Sequence, residues 1–485
     1  MKGKIIMTHY RINDLLDSWI DENRDDILEK WMELARIPSI KSTPAENAPY
    51  GENCAKALKL SEKFFSEAGF ATEIDNEGGY VLSYYGEKGK KIGLFSHSDV
   101  VPVGDDWLYT EPFNPIIRDG VLIGRGVEDN KSGIMHAYCV YRFFKDNGIV
   151  LNNTLQTFIG SDEECGMEDM DAYLEKHSVP EISIVPDADF PCSVGEKGIY
   201  HFWAKSERAF DCVKSFFGGE AFNIVLDRAT VQIEYSEVLE NEIAILIEER
   251  NEFTLCGDGK SLTLSAKGIA KHASIPEGAV NAAYLIADIL SACTSLSVND
   301  RNIFISIKKL LSSFYGCGIG CEHTDVKFGR LTSVNGIVKL ENGRPCLSFD
   351  VRYGSTLLAE ELEAKTQTAL SESGFIVNKV ENKAGFSIDD ESKIPGIFED
   401  IYSEITGERL ERVIMAGGTY ARRLKNAFSV GTYAFRKGEK DKSLKMPEGH
   451  GGAHQCDEMI DINAFFTALK IIVNYFLACD RELGE

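Results

Sequence analysis

The chain has 485 residues, 44% apolar and 26% charged, a length that allows two or three domains and a large core and a makeup ordinary for a globular protein. Its 52 basic and 76 acidic residues leave a net charge of −24, which argues against nucleic acid or an anionic membrane as a partner, since either needs a basic surface. Twelve scattered cysteines, in a chain whose start holds only the short apolar run Ile5-Ile6-Met7, read as reduced thiols in a cytoplasmic setting without a secretory signal.

In chain order, Leu15, Leu16, Trp19, Ile20, Ile27, Leu28, Trp31 and Leu34 fall at helical spacing and predict a helix over 12–37. A second amphipathic helix over 55–68 ends at Gly69, and β-like segments 71–74 and 80–85 flank a Gly78-Gly79 turn. A strand over 91–96 ends in His97-Ser98-Asp99. After a loop, Gly124-Arg125-Gly126-Val127-Glu128-Asp129-Asn130-Lys131-Ser132-Gly133 leads into a helix over 134–145. A buried strand over 155–159 runs into Gly160-Ser161-Asp162-Glu163-Glu164. A helix over 169–177 then leads to a strand over 182–185 that ends in Pro186-Asp187.

This alternation predicts an α/β fold with a mixed, mostly parallel sheet flanked by helices, whose ligands gather outside the carboxyl ends of the strands. Beyond Gly198, alternating segments 230–235, 261–266 and 346–353 mix with helices 279–293 and 359–373. They predict an inserted α+β lid domain over 203–386, which splits a catalytic domain into 1–202 and 387–485. The last part holds Ala416-Gly417-Gly418-Thr419-Tyr420-Ala421-Arg422, then Gly449-His450-Gly451-Gly452-Ala453-His454-Gln455. Its apolar stretch 464–478 carries Lys470 and Asn474 and reads as a packed helix too short to span a bilayer.

Adjacent carboxylates at a strand end repel each other and need compensation, by a cation on one and a proton on another. An isolated Asp-Glu-Glu is more often a solvated turn. Here a strand is followed by ligand-type residues twice more nearby, in His-x-Asp and Pro-Asp. Together His97, Asp129, Glu164, Asp187 and His454 offer the imidazole and carboxylate mixture that a pair of divalent metals prefers, one carboxylate bridging. Asp99 suits a carboxylate that fixes the tautomer of His97, and Glu163 remains to take a proton from a water. Asp129 could also be only a helix N-cap, and Glu128 reads as its solvated neighbour. Cys317-Gly318-Ile319-Gly320-Cys321 with His323 lacks a second ligand pair at zinc-finger spacing. His9, His136, His177 and His201 read as ordinary surface or core histidines.

These stretches resemble the co-catalytic dinuclear metallopeptidases that include carboxypeptidase G, succinyl-diaminopimelate desuccinylase, aminoacylase and carnosinase, and within them the PepV-type dipeptidases. The matching segments are His97-Ser98-Asp99-Val100-Val101-Pro102, 124–131, Asp162-Glu163-Glu164, Pro186-Asp187, Gly417-Gly418-Thr419-Tyr420-Ala421-Arg422 and His454-Gln455, in the family's order. The resemblance implies two divalent ions per chain, Zn or Mn, with Asp129 bridging, His97 and Asp187 on one and Glu164 and His454 on the other. His454 is favoured over His450 by its Gln455 neighbour, and Asp187 over Asp189 by the preceding proline.

The resemblance further implies that Glu163 is the general base and that Asp99 and His272 assist. Substrate-binding roles fall to Asn223, Arg352, Gly418 and Thr419. His272 lies in Gly268-Ile269-Ala270-Lys271-His272, Asn223 in Gly218-Gly219-Glu220-Ala221-Phe222-Asn223, and Arg352 in Asp350-Val351-Arg352-Tyr353. Two departures stand out: Gly278 comes one place early, and Val225-Leu226-Asp227 replaces Val-Pro-Asp. The implied activity is hydrolysis of dipeptides, by a monomer that supplies His272 in cis. N-acyl-amino-acid deacylase or carboxypeptidase activity on the same scaffold is the nearest rival, and Asp187 rather than glutamate favours the dipeptidase. A catalytically dead binding protein would lack a ligand or the base, and none is missing.

Overall fold

Residues 9–389, 392–438 and 444–484 are described by the computed structural model, so Ile5-Ile6-Met7 and the side chain of His9 lie outside the described residues. Contacts divide the chain into one unit of Met1–Gly195 with Ile388–Glu485 and a second of Glu196–Ser387.

The first unit is organised around strands β1 (Ala71–Asp75), β2 (Tyr80–Tyr85), β3 (Lys91–His97), β4 (Thr154–Gly160), β5 (Ile182–Ala188) and β6 (Ala427–Gly431), in the order β1-β2-β4-β3-β5-β6. β1 and β2 form an antiparallel hairpin, β2 meets β4 antiparallel, and β4, β3, β5 and β6 are mutually parallel. A parallel sheet is covered on both faces, so its strands read as unbroken apolar runs. On one face Ile92, Leu94, Leu155 and Ile159 join the main core. On the other, Phe95 and Phe158 stack at 5.3 Å, and Tyr80, Tyr173 and Tyr420 close around Phe158.

The helices of this unit are α1 (His9–Ala35), α2 (Glu52–Glu67), α3 (Lys131–Asp146), α4 (Glu168–Lys176), α5 (Ile394–Thr406) and α6 (Ile462–Gly484). Trp19 packs on Phe143 at 5.8 Å and Trp31 on Phe465 at 4.3 Å, joining α1 to α3 and α6. His136 stacks on Phe465 at 4.1 Å, and burial pushes it down to about 3, so it is a neutral core histidine. One expectation is corrected here. α6 runs 23 residues, not 15, and by length and composition it could cross a membrane. It is instead a core helix: Asn474 donates to Asn13 and to the Lys470 carbonyl, each at 2.8 Å, and Lys470 pairs with Asp17.

The second unit has its own core. One antiparallel sheet runs Val213–Phe217, Arg228–Glu234, Ser261–Lys267, Phe253–Gly257; in another, Gly198–Ser206 lies between Arg344–Tyr353 and Phe375–Lys383. Gly198–Ser206 runs through the boundary expected at 202/203, because it pairs along its length with Arg344–Tyr353 on one side and Phe375–Lys383 on the other, both in the second unit. The helix expected over 279–293 starts later, at Ala282. Val280 pairs with Ile269, and Asn281 caps the helix by accepting from the Tyr284 N–H at 3.0 Å. Helices Glu237–Leu246 and Val298–Leu310 escaped the periodicity reading, although Ser236 and Ser297 cap them.

Asp480 on α6 accepts the backbone N–H groups of Asn152 at 2.9 Å and Asn153 at 2.8 Å, tying the last helix to the entry of β4. Asp480→Ala strips a buried partner from both. A loss of about 1–3 kcal/mol is expected, read as a lower urea midpoint with an unchanged slope.

Candidate metal centre

β3, β4 and β5 end at one level, His97 opposite Gly160 in register. His97 is the last residue of β3. Glu163 and Glu164 follow β4, and Asp187 lies near the end of β5. Two further residues arrive by a small sheet that the sequence did not reveal: Ile116–Arg118, Val121–Ile123 and Met459–Asp461, with Met459 opposite Ile123. That pairing sets the loop carrying His454 beside the loop carrying Asp129.

The resulting geometry is two triads that share one carboxylate. His97 Nε2 lies 3.1 Å from Asp129 Oδ1 and 3.6 Å from Asp187 Oδ2. His454 Nε2 lies 3.0 Å from Asp129 Oδ2 and 3.0 Å from Glu164 Oε1. Thus His97, Asp129 and Asp187 form one potential metal group and Asp129, Glu164 and His454 the other. The two oxygens of Asp129 face opposite imidazoles.

The donors fit divalent ions. Nitrogen and oxygen ligands about 2.0–2.2 Å from a tetrahedral ion would be about 3.3–3.6 Å apart, close to the separations here. His97 is 1% exposed, and its Nε2 and Asp129 Oδ1 are buried without a hydrogen-bond partner. They sit at ligand spacing rather than in hydrogen-bond alignment.

Electrostatics point the same way. Burial and neighbouring carboxylates push Glu163 well above the usual carboxylate range, push Glu164 up to about 7 and raise Asp187. Burial opposes charge on His97, yet the carboxylates of Asp129 and Asp187 raise it. Hydrogen bonds to Asp129 and Glu164 raise His454 to about 11. Burial would raise Asp129, but the two imidazoles lower it.

The three acidic neighbours after β4 separate completely. Asp162 is fully buried and pairs with Lys41 at 2.6 Å. Glu164 joins His454. Glu163 belongs to neither triad, and its Oε1 is buried with no partner among the described residues. His97 Nδ1 meets both the Asp99 carbonyl, at 3.0 Å, and its carboxylate, at 3.4 Å. The carboxylate also accepts the N–H groups of Glu163 at 3.3 Å and Glu164 at 3.1 Å, and so holds that segment.

Other sequence readings resolve as follows. His450 bonds Asp457 at 2.7 Å, away from both triads. The N-cap of α3 is Asn130, not Asp129. Asp189 and Glu128 line a cavity of about 160 Å³ beside Asp129 and Asp187; Glu128 is half-buried there, and burial raises it above the usual carboxylate range. Cys321 bonds Thr366 at 3.1 Å and His323 bonds Thr356 at 3.0 Å, so these residues are not gathered as a metal site. Thr419 is buried; its hydroxyl contacts Ser429 at 2.8 Å and accepts the Ala421 N–H at 3.1 Å. A Cβ on Gly418 would meet the Arg422 guanidinium at 2.6 Å.

Asn223, His272 and Arg352 lie in the second unit. Ala273 N–H donates to the Asn223 carbonyl at 2.8 Å, and Ile224 pairs with His272. Partial burial and the charge of Arg352 lower His272, keeping it neutral. Arg352 gives Nε and one Nη to Asp350 at 2.7 and 2.8 Å.

Sequence reasoning missed Asn130 and Glu458. Asn130 donates to Asp187 Oδ1 at 2.9 Å and to the Pro186 carbonyl. Glu458 is fully buried and accepts from Arg125 at 2.8 Å and from the backbone N–H groups of Gly126, Glu128 and Asp129 at 3.0, 2.9 and 3.1 Å. The only sequence signal for it is an acid four residues beyond His454. Glu458→Gln withdraws one of the two carboxylate oxygens from that cradle. Divalent-ion affinity is expected to fall about 10–100-fold, as for other residues that support metal ligands, in a competitive chelator titration with an unchanged circular dichroism spectrum.

With this geometry in hand, a family model described as peptidase family M20/M25/M40 matches residues 93–478. A Staphylococcus saprophyticus protein provisionally named a dipeptidase is 28% identical over 483 residues, covering 96% of this chain and 99% of its own length. Human carnosine dipeptidase 1 shares the fold at a TM-score of 0.58 and 12% identity, over 97% of this chain and 99% of that one. A Bacillus subtilis protein described as a dinuclear metal binding peptidase of the M20 family does so at 0.51 and 9% identity, over 95% and 99%.

Proposed function

This chain belongs to peptidase family M20/M25/M40, and on that premise we propose that it is a metal-dependent dipeptidase acting through two divalent ions. The observation that carries the reading is Asp129, whose two oxygens are turned to different imidazoles in two overlapping donor triads. The dipeptidase name of the Staphylococcus saprophyticus relative supports the substrate class. His97, Asp187 and one oxygen of Asp129 would hold one ion; Glu164, His454 and the other oxygen would hold the second. Zn²⁺ and Mn²⁺ both suit such nitrogen and oxygen donors. When bound, the ions supply Lewis-acid polarisation of the scissile carbonyl and an acidified water.

Glu163 does the proton work. Its buried carboxylate takes a proton from the attacking water and returns it to the nitrogen of the leaving amine, general base and then general acid. Burial among like charges raises its proton affinity, which suits both halves of that task. Asp99 keeps the Glu163–Glu164 backbone in place through its two N–H contacts. In this reading a neutral His272 donates to the developing oxyanion, Asn223, Gly418 and Thr419 line the peptide, and Arg352 binds its terminal carboxylate, for which a planar fork is suited. The cysteines, all unpaired, support a reducing, cytoplasmic setting.

Neighbouring glutamates separate the roles. Glu163→Gln should retain both ions by elemental analysis and lose about 10²–10⁴-fold in kcat. Glu164→Ala should instead lose one ion. Equal metal loss in both variants would overturn the assignment. A panel of dipeptides, tripeptides and N-acyl amino acids, each assayed with Zn²⁺ or Mn²⁺ after chelation, tests the substrate class. Turnover confined to N-acyl amino acids would make the protein a deacylase.

A further inference from the structure

In the second unit a line of charge crosses three strands. His201 stands at the centre of Gly198–Ser206, in register with Asp350 on one neighbour and Glu381 on the other. Its Nε2 lies 2.9 Å from Asp350 Oδ2 and its Nδ1 2.9 Å from Glu381 Oε1. Asp350, fully buried, also accepts Arg352 Nε at 2.7 Å and Nη2 at 2.8 Å, and Lys383 pairs with Glu381 at 3.2 Å. His201 is thus no ordinary histidine, as the sequence reading had it.

We propose that His201, held by Glu381, is a positioning residue: it fixes the Asp350 carboxylate and thereby the guanidinium of Arg352 for the terminal carboxylate of the substrate. The inference rests on the reading of Arg352 given above. The two parallel bonds keep the Arg352 guanidinium and the Asp350 carboxylate in one plane, but the pair can still swing as a unit about the Asp350 side-chain torsions. A second donor on Oδ2, itself tethered at its far nitrogen, removes that freedom, and bidentate recognition depends on the orientation of the plane.

Charge supports the same role. Asp350 by itself would neutralise Arg352. With His201 protonated, the Asp350 carboxylate is shared between two cations, Arg352 and His201, and Glu381 between His201 and Lys383. Burial opposes the imidazolium, but the hydrogen bonds to Asp350 and Glu381 outweigh it and raise His201 to about 9. The support extends further. The Phe222 ring packs on His201 at 5.2 Å, and the next residue is Asn223, whose carbonyl holds the Ala273 N–H beside His272.

The test compares wild type, His201→Gln, Glu381→Gln and Arg352→Lys on a free dipeptide and on the same dipeptide amidated at its C-terminus. His201→Gln should raise KM for the free dipeptide about 10-fold or more, change kcat less than about 3-fold and narrow the preference for the free acid, the signature of lost uniform binding. Glu381→Gln, on the edge strand, should move the same quantities in the same direction by less, and serves if His201→Gln melts early. If Arg352→Lys abolishes the preference while the other two variants retain it, His201 is only part of the sheet and the inference is overturned. If Arg352→Lys retains the preference, the reading of Arg352 falls first and takes this inference with it.

Discussion

Four carboxylates, those of Asp129, Glu163, Glu164 and Asp187, converge at a largely buried site, and their repulsion has to be relieved by positive charge or by protonation. Coulomb repulsion between like charges a few ångströms apart is strengthened as the surroundings dry out. Two imidazoles supply part of the compensation, and the arrangement of donors suits two divalent ions for the rest. The neighbouring architecture answers to this demand. The sheet brings the donors to one level, Glu458 gathers the N–H groups of the Asp129 loop, and Asp99 gathers those of the Glu163 segment.

Catalytic and structural acids therefore differ in what they touch, not in where they stand in the chain. Asp162, Glu163 and Glu164 are consecutive, yet one faces a lysine, one lies outside both triads and one faces a histidine. A β-strand end explains this: consecutive side chains point in different directions once the pleat gives way to a turn. The middle member, excluded from both triads, keeps a buried carboxylate oxygen without a hydrogen-bond partner among the described residues.

Much of this was legible in the sequence because it is written locally. Apolar runs followed at once by His-x-Asp, Asp-Glu-Glu and Pro-Asp mark the ends of parallel strands, where ligands gather. The helices of the first unit follow from their spacing. What was not legible depends on pairing between distant segments. Glu458 matters because Met459–Asp461 pairs with Val121–Ile123, and His201 because its strand lies between two others in one particular register. Neither register is set by nearby residues. Asp99 shows a subtler limit: two-residue spacing to His97 suggests the side-chain contact found at 3.4 Å, but not that the backbone carbonyl lies nearer still, at 3.0 Å.

The order of the donors along the chain has a consequence for biosynthesis. His97, Asp129 and Asp187 are all present once the first 187 residues have emerged, whereas His454 follows only after the whole second unit has been made. At ~5–20 residues per second that interval lasts roughly 13–50 s. The nascent polypeptide thus holds one complete triad and two of the three donors of the other, Asp129 and Glu164, well before His454 arrives, and β6, the last parallel strand of the sheet, also arrives late. Translation thus orders when the donors become available, and a chain that stopped before His454 would lack the imidazole of the second triad.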